Sequence, residues 1–85
     1  MIGVLASGEG TNLQALIDAG LPIAAVASNH AGVRALERAD EAGIASAAFE
    51  LADYPDREMR DAAMGDWLIY YGVDLVVCAG YMHLL

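Results

Sequence analysis

The sequence contains no lysine. Four arginines face twelve aspartates and glutamates, for a formal net charge of −8. No basic patch can follow a nucleic-acid backbone, so the balance argues against such a partner. The missing lysine also excludes a Walker-type phosphate loop, whose lysine must reach the phosphates. Cysteine is nearly absent too. Cys78 stands alone in an apolar run, which excludes a disulfide framework and a metal-ligand spacing and suggests a buried core thiol. No basic leader is expected, and no apolar run approaches the roughly 18 residues needed to span a bilayer. The expectation is a reducing, cytoplasmic setting with no membrane contact.

What the chain does have is apolar content. It amounts to 58% of 85 residues, with a mean hydropathy of +0.43. A single domain this small hides only about 60% of its unfolded surface. So apolar a sequence is therefore expected to lack part of its cover.

The most informative stretch runs from Met1 to Gln14. Ile2, Val4 and Leu5 fit a buried strand of a parallel sheet. Gly8 and Gly10 permit a sharp turn and a close approach of backbone to a ligand. Thr11 and Gln14 have the spacing of a capping box, followed by the stripe Leu13, Leu16 and Ile17. A helix starting here points free N–H groups and a positive dipole end at the turn, which suits a phosphate.

Gly20 and Pro22 close this helix, and Ile23 to Ser28 reads as a second buried strand. A second helix follows the turn Asn29 to Gly32, with Val33, Leu36, Ala39 and Ala42 facing inward. Arg34, Glu37, Arg38, Asp40 and Glu41 are expected as its solvated face, and His30 as a surface residue. Ile44 to Phe49 forms a weaker third strand. An acidic loop then leads to a third helix over 57–71, capped by Asp56 and buried through Met64, Leu68 and Tyr71. Asp74 to Ala79 is the strongest strand.

This βαβαβαβ alternation predicts an α/β fold, a doubly wound (Rossmann-like) parallel sheet of order 3-2-1-4 in one domain, residues 1–85. Strands 1 and 4 are then neighbours where the winding reverses. Ligands bind there, outside the carboxyl ends of the strands. The turn Ser7 to Asn12 and the segment Gly80 to Leu85 both arrive at that point.

Two ligand readings follow from the residues. Gly8-Glu9-Gly10 begins like a dinucleotide fingerprint, but Leu13 stands at the third glycine position. Ser28-Asn29 also stands where an acid would bind the ribose of NAD. His30 or Arg34 facing a 2′-phosphate would leave an NADP-binding half-domain. The other reading is a non-catalytic nucleotide- or phosphate-binding module.

The stretch Ser-Gly-Glu-Gly-Thr-Asn-Leu-Gln-Ala-Leu-Ile-Asp resembles the opening of the phosphoribosylglycinamide formyltransferases (glycinamide ribonucleotide transformylases). The likeness continues through Val26 to Asn29, Ala35 to Ala39, Ala42 to Ile44 and Asp56 to Glu58. It ends with Asp74-Leu-Val-Val-Cys-Ala-Gly-Tyr-Met-His-Leu-Leu85. The resemblance covers the whole chain. It implies the amino-terminal half of an enzyme that moves a formyl group from 10-formyltetrahydrofolate to glycinamide ribonucleotide in purine biosynthesis. By this likeness Gly10, Thr11 and Asn12 hold the ribonucleotide phosphate. Arg57 contacts the folate, and Met82, His83, Leu84 and Leu85 line its pocket.

Three departures stand out. Glu9 replaces an asparagine and brings a carboxylate beside the phosphate turn. His83 replaces an arginine at a cofactor-contacting position. The catalytic Asn, His and Asp implied by the resemblance all lie beyond Leu85, so no catalytic residue is assigned within this chain. A truncated chain, inactive alone, is the expectation.

Overall fold

A computed structural model describes residues 1–6 and 8–79. Four strands form one parallel sheet: β1 (Ile2–Ala6), β2 (Ile23–Ser28), β3 (Ala45–Ala48) and β4 (Leu75–Ala79). Their order is β3-β2-β1-β4, as the alternation predicts. β1 runs in register with β4 from Ile2 opposite Leu75 to Ala6 opposite Ala79. The β1–β2 register shifts once, between Ile2 and Gly3.

The helices are α1 (Thr11–Asp18), α2 (Arg34–Glu41) and α3 (Arg57–Tyr70), with a single 3₁₀ turn at Leu51–Asp53. Side chains alternate across each strand, so β1 feeds two cores. Val4 and Ala6 join Leu13, Val26, Ala35 and Ala39 beneath α1 and α2. Leu5 joins Ala25, Ala27, Phe49, Met64 and Leu68 beneath α3. α1 and α2 thus cover one face and α3 the other, which makes the fold doubly wound and puts the reversal between β1 and β4.

Several details differ from the sequence reading. The inner face of α2 is Ala35 and Ala39, with Val33 and Leu36 half-buried and Ala42 exposed. Two alanines allow α2 to press on the backbone beneath it, where larger residues would hold it off. Tyr71 falls just past the end of α3 and is exposed, its ring against Trp67 at 4.9 Å between centroids. The α3 stripe instead extends backward to Arg60, buried with its Nε donating to Asp61 Oδ1 at 2.7 Å. Cys78 is half-buried rather than enclosed, because the core beneath α3 reaches it only at its edge.

β4 pairs only with β1 among the described residues, and Leu75 and Val76 are exposed on it. No described helix is long and apolar enough to cross a membrane.

Candidate functional site at the β1–α1 turn

Helix α1 begins in a way the capping-box spacing did not foresee. Its N-cap is Gly10, in the left-handed conformation at φ 71°, and no side chain among the described residues caps the helix. Thr11 is already the first helical residue. Gln14 does not reach back to the N-cap; its Nε2 donates to Asp18 Oδ1 at 2.9 Å. The capping-box reading therefore fails, because a glycine rather than Thr11 makes the turn. The result suits a ligand better, since no side chain among the described residues occupies the orphan donors. The N–H groups of Asn12 and Leu13 have no acceptor among the described residues.

The turn rests on α2. The Ala35 N–H donates to the Gly8 carbonyl at 3.1 Å, so the loop itself caps a helix whose N-cap, Val33, has no capping side chain. A Cβ on Gly10 would stand 2.6 Å from Ala35 Cα and 2.8 Å from Ala35 Cβ. Glycine is thus required at position 10 by space as well as by φ. Arg38, expected in solvent, is half-buried against the turn. Its Nε donates to the Glu9 carbonyl at 2.7 Å and its Nη1 to Gln14 Oε1 at 3.2 Å. The sequence signal for this contact was the pair of alanines, which bring α2 and the arginine between them close to the turn. The Glu9 side chain is exposed, so its carboxylate has solvent to point into.

Gly10, Thr11 and Asn12 are thus contiguous at the carboxyl end of β1, with Gly10 buried and the other two open. Arg57 lies elsewhere: it is the exposed first residue of α3, on the opposite face of the sheet. Both helices start at the carboxyl edge of the sheet, as parallel connections require. Along α3, Arg57 shares a side with Asp61, Met64 and Leu68, spaced at helical intervals. The last three line an apolar groove with Leu5, Gly65 and Val76, with a volume of about 130 Å³. Ser7 and Gly80 to Leu85 lie outside the described residues, so the readings for Met82, His83, Leu84 and Leu85 have no geometry here.

The basic side chains that follow β2 lie close to acids. Arg34 donates to Glu37 Oε2 at 2.8 Å and to Glu41 Oε1 at 3.1 Å. These hydrogen bonds, to Glu37 first, raise its pKa above the ordinary arginine value. His30 Nδ1 lies 3.7 Å from Glu50 Oε1. A 2′-phosphate would meet carboxylates here, which counts against the NADP reading. Among the described residues no group of three or more His, Cys, Asp or Glu is placed to hold a metal.

The formyl transferase profile matches residues 1–85. The chain belongs to the formyl transferase family. It is 46% identical to the phosphoribosylglycinamide formyltransferase of Haemophilus influenzae, a match covering 99% of this chain and 42% of that protein. It is 45% identical to the trifunctional purine biosynthetic protein adenosine-3 of Chironomus tentans, covering 99% of this chain and 7% of that one. Among solved structures, the phosphoribosylglycinamide formyltransferase of Streptococcus pneumoniae superposes with a TM-score of 0.90 at 38% identity, over 99% of this chain and 46% of the other. Glycinamide ribonucleotide transformylase 1 of Symbiobacterium toebii gives 0.87 at 48% identity, over 98% and 42%. This formyl transferase chain spans less than half the length of the relatives it matches.

Proposed function

We propose that these residues are the ribonucleotide-binding part of a phosphoribosylglycinamide formyltransferase, working in the cytoplasm on small-molecule substrates. The observation that carries this reading is the β1–α1 turn: an uncapped helix start at the winding reversal of a formyl transferase sheet. The turn takes the phosphate of glycinamide ribonucleotide, with helix N–H groups and the side chains of Thr11 and Asn12 as donors. The donor set fits a dianion, and the Glu9 side chain beside it is exposed to solvent. 10-Formyltetrahydrofolate supplies the formyl carbon that the substrate amine attacks. Its carbonyl oxygen becomes the oxyanion, the bond to the folate nitrogen breaks, and the proton lost by the amine ends on that nitrogen. Arg57 meets an anionic part of the folate, and Met82, His83, Leu84 and Leu85 line its pocket. The oxyanion donors and the proton carrier belong to residues beyond Leu85 in the longer protein.

The test is formyl transfer by the full-length protein, followed by folate absorbance with glycinamide ribonucleotide as acceptor. Turnover is expected, and Asn12→Ala is expected to raise the KM for the ribonucleotide by about tenfold, the loss of one charge-assisted hydrogen bond. A full-length protein that does not formylate the ribonucleotide overturns the reading.

A further inference from the structure

We propose that Arg38 is a positioning residue for the ribonucleotide phosphate, an inference that rests on the function proposed above. Three successive carbonyls of the turn are each held. Gly8 O accepts from the Ala35 N–H, Glu9 O from Arg38 Nε, and Gly10 O from the Gln14 N–H. All peptide bonds described are trans. In a trans peptide, the carbonyl and the following N–H point in opposite directions. Holding these oxygens therefore turns the N–H groups of Glu9, Gly10 and Thr11 away from the groups that hold them.

Of the three anchors, only Arg38 is a side chain. It governs the peptide between Glu9 and Gly10, the one most able to flip, because glycine at position 10 tolerates either orientation. Arg38 is fixed in turn by Gln14 Oε1 at 3.2 Å, one turn into α1, so it ties both ends of the loop to α2. Its charge is also unspent. Arg34 and Arg60 pair with carboxylates, whereas Arg38 makes no such pair among the described residues. A cation is thereby kept beneath a turn that receives a dianion, and it offsets the carboxylate that Glu9 brings to the same loop.

The full-length protein is assayed with glycinamide ribonucleotide and with glycinamide riboside, the same acceptor without its phosphate. In Arg38→Met the ratio of kcat/KM for the ribonucleotide to that for the riboside is expected to fall about tenfold or more. The loss should appear in the ribonucleotide KM, with the KM for the formyl donor unchanged. Arg38→Lys, which keeps the charge but cannot bridge Glu9 O and Gln14 Oε1 together, should show a smaller fall in the same ratio. It stands in for the methionine variant if that one does not fold. Equal losses on both acceptors, or no loss, overturn the role of Arg38 and leave the proposed function intact. A wild-type protein that formylates neither acceptor overturns the proposed function, and the inference with it.

Discussion

Two glycines of the β1–α1 turn have nearly the same backbone conformation and very different surroundings. Gly8 sits at φ 61° and Gly10 at φ 71°. A Cβ on Gly8 would meet nothing within 4 Å, whereas one on Gly10 would run into the backbone of Ala35. Left-handed φ alone costs a non-glycine residue about 1–2 kcal/mol. Overpacking against an immovable backbone adds roughly 1–3 kcal/mol. Gly8→Ala is therefore expected to lower unfolding free energy by about 1 kcal/mol, and Gly10→Ala by about 3 kcal/mol. Urea denaturation followed by circular dichroism measures both. Equal losses would mean that α2 yields to the added methyl, and that the turn is held less firmly than its contacts with Ala35 and Arg38 require.

At the scale of elements, α1 and α3 solve the same problem in opposite ways. Asp56 caps α3, its Oδ1 accepting from the Met59 N–H at 2.9 Å. No side chain among the described residues caps α1. Asp56→Ala should cost about 1 kcal/mol of stability. Thr11→Ala should stay within about 0.5 kcal/mol, as for a surface site without such a contact, while weakening the ribonucleotide. Paired melts and KM values separate the two effects; a large stability loss at Thr11 would show that it caps its helix after all. The contrast also explains what the sequence disclosed. Strand β2, the start of α3 and its cap were legible because each depends on neighbours in sequence: an apolar run, a proline, an aspartate at the right place. The winding order followed from alternation. The cap of α1 was misread because Thr11 and Gln14 carry the spacing of a capping box, while the turn is decided by Gly10 against Ala35, 25 positions away by number. Arg38 escaped notice for the same reason. Nothing local to α2 separates it from Arg34; only the packing of α2 on the turn does.

For the whole molecule, the relevant quantity is what these residues leave uncovered. Leu75 is 58% exposed on β4, and Ile69 and Tyr70 are 70% and 81% exposed at the end of α3. The groove between β1, β4 and α3 holds about 130 Å³. That is under half the roughly 300–1,000 Å³ of a small-molecule pocket, so under the proposed function it would seat only part of the folate. By the proposed function, the remaining wall, and the cover for the edge of β4 that is unpaired among the described residues, come from the rest of the longer protein. The 85 residues expressed alone should then bind a hydrophobic dye, self-associate with rising concentration and transfer no formyl group. The full-length protein should lack the dye signal at equal concentration. Light scattering, dye fluorescence and the formyl-transfer assay on both proteins check this. A monomeric, dye-negative 85-residue chain would mean that the exposed face needs no cover, and formyl transfer by it would place the chemistry within these 85 residues.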